Sequence, residues 1–211
     1  MEILRDHMLI LPDLQAEIVS RCLAGGFGDE PAQAAHDLGR ITLPDGVVKQ
    51  VWLVHAADAV LLDDLGQTLL ITRLHNPGRG KQALPGGLLD PVNGHVESSR
   101  AAALREAMEE TGISADVLAR AGITQLGHRR YARPFDIRCA WRGLTDLPVR
   151  EGDFFTVSTL GFRVRVAGDL RDVALLAGDD ASAVHVVPAA AVTADQLAVP
   201  DHIELIREAL A

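Results

Sequence analysis

The sequence has few aromatic residues, only two cysteines and no long hydrophobic run. Aromatic residues make up 4% of the 211 residues, so we expect a core of aliphatic side chains. Cys22 and Cys139 lie far apart and match no metal-binding or redox spacing, which favours buried or free thiols in a reducing compartment. The first residues mix charges of both signs and lack an apolar stretch of signal-peptide or membrane-spanning length. We therefore expect a cytoplasmic protein without membrane association.

The charge balance is acidic, with 29 Asp and Glu against 20 Lys and Arg and a formal net charge of −9. Such a surface repels nucleic acid as a whole, so we expect no nucleic-acid partner. An anionic small molecule would need local cations. Apolar residues at 48% and charged residues at 23% are typical of a soluble globular domain, and the length suits one domain with a short extension.

Residues 1–45 are predicted to form a helical N-terminal extension. Apolar residues recur at helical spacing between residues 12 and 24, and Gly25-Gly26 ends the pattern. A second short helix is predicted from Pro31 to Leu38, and Pro44-Asp45-Gly46 forms the separating turn. We expect this extension to pack on the main domain, residues 46–211, or on a partner subunit.

The main domain alternates short β-rich runs with helices, which indicates an α/β fold with a mixed sheet. Strands are predicted at residues 47–54, 59–62, 67–73, 154–166 and 183–187. Helices are predicted at residues 98–111 and 201–210, and Gly112 follows the first of them as its stop signal.

The predicted helix over residues 98–111 carries three carboxylates on one face. Glu106, Glu109 and Glu110 are separated by three and four residues, so their side chains lie close together on a helix. Mutual repulsion raises carboxylate pKa values unless a cation lies among the oxygens, and hard divalent cations prefer such oxygen ligands. Arg105 precedes Glu109 by four residues and is able to pair with it or with Glu97. A solvated charged helix face is the alternative.

This segment, with the glycines before it, resembles the Nudix box. That box runs glycine, five residues, glutamate, seven residues, Arg-Glu, an aliphatic residue, one residue, Glu-Glu, one residue, glycine and an aliphatic residue. The matching residues here are Gly87, Glu97, Arg105, Glu106, Ala107, Glu109, Glu110, Gly112 and Ile113. The preceding Ala83-Leu84-Pro85-Gly86-Gly87 also looks like the strand and loop that lead into the box. Nine residues instead of five separate Gly87 from Glu97, so four additional residues around Asn93-Gly94 lengthen the loop.

The resemblance implies a Nudix-type α/β/α sandwich and a metal-dependent pyrophosphohydrolase. It implies that the three helix carboxylates and the Gly86 carbonyl ligate Mg²⁺ or Mn²⁺, while Glu97 and Arg105 act as structural braces. The metals would neutralise a diphosphate and lower the pKa of an attacking water. Many relatives that act on ADP-ribose are homodimers, so a homodimer is expected here.

The candidates for the general base lie outside the box. Asp179 and Asp180 lie in Gly178-Asp179-Asp180-Ala181, which looks like a stretch of Nudix proteins acting on ADP-ribose, although Gly-Asp-Asp also suits a surface turn. Glu151 and Asp153 are the reserve candidates.

A second resemblance to that branch is the pair Asp201-His202 at the start of the last helix. The alternative is Asp201 as a plain helix N-cap. Candidate phosphate-binding cations are Arg79 and Lys81 before the Gly-Gly loop and Arg150 among the arginines between residues 129 and 150. The alternatives are a plain flexible loop before the glycines and charges that serve only solubility.

The favoured function is hydrolysis of a nucleoside diphosphate linked to another group, with ADP-ribose cleaved to AMP and ribose 5-phosphate. One alternative is a nucleoside triphosphate pyrophosphohydrolase. Another is a catalytically silent, ligand-sensing Nudix regulator, against which stand the intact acidic set and the short, unbasic N-terminal segment.

Overall fold

The computed structural model describes residues 12–75, 78–92, 95–131, 135–136 and 152–211. Over these ranges the α-helices are α1 (Pro12–Ala24), α2 (Ser99–Thr111), α3 (Ala115–Ala119) and α4 (His202–Leu210). The strands are β1 (Ala35–Thr42), β2 (Val48–Leu62), β3 (Gln67–Arg73), β4 (Gln82–Ala83), β5 (Gly86–Leu88), β6 (Pro91–Val92), β7 (His95–Val96), β8 (Gly122–Tyr131), β9 (Phe135–Asp136), β10 (Phe154–Arg165) and β11 (Ala181–Pro188). Short 3₁₀ turns cover Leu170–Asp172, Ala189–Ala191 and Ala194–Gln196.

One compact unit is formed by described residues within 1–56, 88–99 and 129–159. Here β1 pairs antiparallel with the first part of β2, from Ala35 opposite Val54 to Thr42 opposite Val48, with one irregularity in register. The apolar cluster of this unit contains Ile18, Cys22, Ile41, Val51, Leu53 and Phe154. The strands β6 and β7 pair as a small hairpin, so the loop lengthened by the additional residues carries its own local backbone pairing.

The other unit comprises residues 57–87, 100–128 and 160–211. The strands that pass through it are ordered β11-β3-β2-β10-β8, and β11 pairs antiparallel along the length of β3. The helix α4 buries Ile203, Leu205, Ile206 and Ala209 in a cluster with strand residues such as Val60 and Leu70. Full burial of an aliphatic side chain of this size contributes about 1.5–3 kcal/mol, so α4 is firmly held.

The turn between β2 and β3 is organised by the buried Asp63. Its carboxylate accepts hydrogen bonds from the amides of Leu65 (2.9 Å), Gln67 (2.8 Å) and Leu170 (3.0 Å). Burial opposes ionisation of this carboxyl, but the hydrogen bonds from Leu170, Gln67 and Leu65 outweigh it and hold its pKa below the ordinary value of 3.8. The charged form of Asp63 therefore stabilises the fold.

Most predicted elements are confirmed, including the helices at 12–24 and 98–111, the closing helix and the later strands. The short helix predicted from Pro31 to Leu38 is wrong, because the structure has β1 at Ala35–Thr42. A helix of that length is marginal in water, whereas β1 gains backbone pairing with the adjacent strand β2. The two strands predicted at 47–54 and 59–62 form the single strand β2. No helix of the described ranges is long and apolar enough to cross a membrane.

Candidate functional site

The acidic face of α2 is partly buried. Glu106 retains 9% of its accessible surface and Glu110 only 3%, whereas Glu109 is exposed. Glu106 and Glu110 are one turn apart, on a face that also buries Ala103 and Ala107. Burying carboxylates is unfavourable unless they are paired with other groups, so this helix departs from what stability alone would select.

Arg105 contacts two of the three carboxylates. Its Nη1 donates to Glu106 Oε1 at 2.9 Å and to Glu109 Oε2 at 2.8 Å. The pairing of Arg105 with Glu109 that the sequence predicts is therefore observed. Glu97 belongs to the first unit, where its Oε1 accepts a hydrogen bond from the amide of Asp90 at 2.8 Å.

The glycine pair brings backbone directly against the buried carboxylates. The Gly86 amide donates to Glu110 Oε2 at 3.0 Å. A Cβ at Gly87 would collide with the Glu106 carboxylate, and one at Gly86 would collide with Asp58 Oδ1. Only glycine allows so close an approach at both positions, which explains the Gly-Gly sequence physically.

The surroundings of the two buried carboxyls of α2 disfavour their charged forms. Burial, together with smaller contributions from the nearby Glu109 and Asp179, raises the pKa of Glu106 to about 7 in spite of Arg105. Burial also raises the pKa of Glu110 to about 8; the Gly86 amide and Arg73 oppose this rise, and Glu106 adds to it. A cation among these oxygens would relieve both effects.

Carboxylate and backbone carbonyl oxygens are the ligands that a hard divalent cation prefers, so the chemistry of the helix carboxylates and of the Gly86 carbonyl fits such an ion. In the described part of the chain no three His, Cys, Asp or Glu side chains are already gathered into a group able to hold a metal ion. Glu106 and Glu109 converge on Arg105 instead, and Glu110 accepts from the Gly86 amide. Metal binding would therefore exchange these N–H contacts for metal contacts.

The Gly178-Asp179-Asp180 segment packs on the C-terminal end of α2. The amides of Leu176 and Gly178 donate to the carbonyls of Thr111 (2.9 Å) and Glu110 (3.4 Å), which the helix leaves unsatisfied. Asp179 has φ of 47°, the one positive value at a non-glycine residue over the ranges described. A non-glycine residue in this region costs about 1–3 kcal/mol, and such strain concentrates at functional sites.

The structure brings Asp179 near the acidic helix face. Asp179 lies close enough to Glu106 to raise the pKa of that carboxyl. Asp180 Oδ1 is 3.6 Å from His75 Nε2, with both side chains about half exposed, and its carbonyl accepts from the Leu74 amide at 2.7 Å. The reserve candidate Asp153 instead accepts from Trp52 Nε1 at 2.9 Å in the first unit, and Glu151 lies outside the described residues.

Asp58, which lies near Gly86, was missed by sequence reasoning. Asp58 lies within β2 with 6% of its surface accessible, and its Oδ2 is 3.6 Å from His202 Nε2. The available signal was a carboxylate inside the otherwise apolar run from Ala56 to Leu62. Asp201 occupies the N-cap position of α4, but its side chain makes no capping hydrogen bond.

Of the three predicted phosphate-binding residues, Arg79 and Lys81 lie within the described part of the chain. Arg79 and Lys81 are exposed on the turn between β3 and β4, where the Lys81 amide donates to the Gly78 carbonyl at 2.9 Å. Arg150 lies outside the described residues. Arg73, which sequence reasoning did not select, is near enough to lower the pKa of Glu110.

A family model described as the NUDIX domain matches residues 52–209. The E. coli dihydroneopterin triphosphate pyrophosphohydrolase is 19% identical, with a TM-score of 0.50 over 73% of this chain and 92% of that one, a likeness that shows a common fold. The NUDIX domain of Shewanella oneidensis NrtR complexed with ADP ribose is 25% identical, with a TM-score of 0.49 over 74% of this chain and 85% of that one. A bifunctional NMN adenylyltransferase/ADP ribose pyrophosphatase from Francisella tularensis is 24% identical, with a TM-score of 0.47 over 74% of this chain and 40% of that one. No curated protein sequence matches the chain.

Proposed function

Because the chain belongs to the NUDIX family, we propose that it hydrolyses the pyrophosphate bond of a nucleoside diphosphate linked to another group. The predicted family, fold class and enzyme class are confirmed by the family match. The preferred reaction in this proposal is ADP-ribose to AMP and ribose 5-phosphate. The observation that carries the proposal is the packing of the Gly178-Asp179-Asp180 segment on the acidic helix α2, with strained backbone at Asp179.

The residues proposed to hold the cation are Glu106, Glu109, Glu110 and the Gly86 carbonyl. Nudix hydrolases depend on a divalent metal, and Mg²⁺, with Mn²⁺ as substitute, is the proposed ion. When bound, it would neutralise the diphosphate and make a bound water more acidic. Support comes from the burial and raised pKa of Glu106 and Glu110. Arg105 would keep Glu106 and Glu109 oriented, and Glu97 would brace its own loop.

The proposed general base is Asp180, with Asp179 in reserve. A carboxylate in this place would accept the proton of the attacking water. Asp180 is half exposed beside His75, so it is open to solvent and to a substrate. Asp179, next to Glu106, is the second candidate for the same task.

Substrate phosphates are proposed to contact Arg79, Lys81 and Arg150. The first two are exposed on one turn, and an acidic protein needs such local cations for an anionic ligand. We also propose a cytoplasmic homodimer without nucleic-acid partners, in which residues 1–45 act as an extension of the Nudix domain 46–211. Sedimentation of the purified chain tests the dimer.

The function is tested with ADP-ribose, NADH, a sugar nucleotide, dGTP and ATP at equal concentration with Mg²⁺, with products identified by chromatography. We expect ADP-ribose to exceed every triphosphate by at least about tenfold in kcat/KM, or about 1.4 kcal/mol in transition-state binding. Fastest release of pyrophosphate from a triphosphate would replace this proposal by the triphosphate alternative. Ligand binding without turnover of any substrate would favour the silent regulator.

A further inference from the structure

We infer that Asp58 and His202 form a positioning pair that fixes Gly86 and, through its amide, the carboxylate of Glu110. The inference rests on the metal site of the proposed function. Neither residue is assigned contact with substrate. Their role is to hold the backbone at Gly86 where its amide and carbonyl are needed.

The Asp58 side of the pair is built into β2. The amide of Ala59, the next residue, donates to the Pro85 carbonyl at 2.8 Å, which ties the residue before Gly86 to the strand. A Cβ at Gly86 would collide with Asp58 Oδ1 and lie 2.7 Å from the Ala57 carbonyl oxygen. Strand β2 therefore packs against Gly86, and Glu110 accepts a hydrogen bond from the Gly86 amide at 3.0 Å.

The His202 side of the pair is supplied by α4. His202 is the first residue of that helix, and its Nε2 is 3.6 Å from Asp58 Oδ2, with side-chain exposures of 12% and 9%. The next turn buries Ile203, Leu205 and Ile206, so the imidazole is carried on a firmly packed element. A nearly buried carboxylate requires polar neighbours, and His202 is one of them for Asp58.

The contacts thus form a continuous series. His202 of α4 lies beside Asp58, Asp58 lies against Gly86, and the Gly86 amide donates to Glu110. Asp58 also raises the pKa of Glu110, which shows that the two carboxylates are close. An aspartate beside a buried glutamate is unfavourable for stability. Its presence here is explained if its position, in contact with Gly86, serves the site.

The test compares Asp58→Asn and His202→Gln with the wild-type protein in the binding of Mn²⁺ alone, followed by electron paramagnetic resonance of the free ion. We expect each change to weaken Mn²⁺ affinity about tenfold, the lower end of the range for residues that orient ligands. The double variant should bind Mn²⁺ no more weakly than the single variant with the larger loss of affinity. Glu204→Gln, an exposed change on the same helix beside Arg207, is the matched control and should bind normally.

Charge alone predicts a different pattern. Removal of the Asp58 charge would weaken Mn²⁺ binding, whereas replacement of His202 would leave it unchanged or strengthen it. Loss of affinity in both variants therefore supports positioning. Hydrogen exchange of the Gly86 amide should accelerate in both variants, while the Val166 amide, which donates to the Leu62 carbonyl at 2.8 Å, should not change. A general loss of structure in His202→Gln would accelerate both amides and would overturn the inference.

Glu110→Gln serves as the reference for the metal site itself. If it loses Mn²⁺ while folded His202→Gln and Asp58→Asn retain wild-type affinity, the positioning role is refuted and the proposed function stands. If Glu110→Gln also retains wild-type Mn²⁺ affinity, both the proposed metal site and the positioning role of the pair are refuted. Should Asp58→Asn fail to fold, His202→Gln decides alone, since its side chain lies at the edge of the buried region.

Discussion

Replacement of Glu110 by glutamine separates the role of its charge in catalysis from its contribution to the stability of the fold. Glu110 is almost completely buried and accepts the Gly86 amide at 3.0 Å. Glutamine has nearly the same shape, and its carbonyl oxygen is able to accept the same hydrogen bond. It carries no charge to desolvate, so the metal-free variant should be at least as stable as wild type.

Turnover of the same variant should fall by at least about a hundredfold, or about 2.7 kcal/mol, because one preorganised charge at the phosphoryl group is lost. Glu106→Gln should be comparably harmful, since Glu106 is the other buried carboxylate. Glu109→Gln should have a smaller effect because Glu109 is exposed, although Arg105 contacts it. Exposed Glu204, changed to glutamine, is the control.

The assay is steady-state hydrolysis of ADP-ribose with saturating Mg²⁺, together with thermal unfolding of the metal-free variants. An active Glu110→Gln enzyme with near-normal turnover would remove Glu110 from the metal site. A variant that loses activity but also unfolds at a much lower temperature would refute the argument that the charge serves chemistry and not the fold.

Three further changes probe other parts of the molecule. Asp180→Asn should lower kcat more than it raises KM. An unchanged rate constant in single-turnover measurements would show that Asp180 is only a turn residue. Gly87→Ala should reduce stability in urea by about 1–3 kcal/mol and impair activity, because the added Cβ meets the Glu106 carboxylate; Gly122→Ala, whose nearest contact is 3.8 Å away, is the control, and equal stability of both variants would contradict the collision. Asp63→Asn should be less stable than wild type at pH 7. Because the lowered pKa of Asp63 contributes stability above 3.8 that is lost as pH falls through the folded value, the difference should shrink in acid, and a constant difference in urea titrations would refute this linkage.

The acidic helix was predictable because its evidence is local. Spacings of three and four residues determine that Glu106, Glu109 and Glu110 share a face, and Gly112 marks the end of α2, where its φ of 67° requires glycine. The same short-range logic failed for β1. An alanine-containing segment suited a helix locally, but pairing with β2 decided its conformation, because strand formation depends more on cross-strand packing than on local propensity.

The sequence by itself therefore determined the family, the order of most elements and the set of candidate carboxylates. Only the tertiary structure decided which of them are buried, because that depends on which face of α2 packs inward. It alone brought His202 to Asp58 and Asp58 to Gly86, since these residues meet through the packing of a strand, a loop and the last helix. Burial and close approach are properties of packed elements, and residue spacing along one element does not contain them.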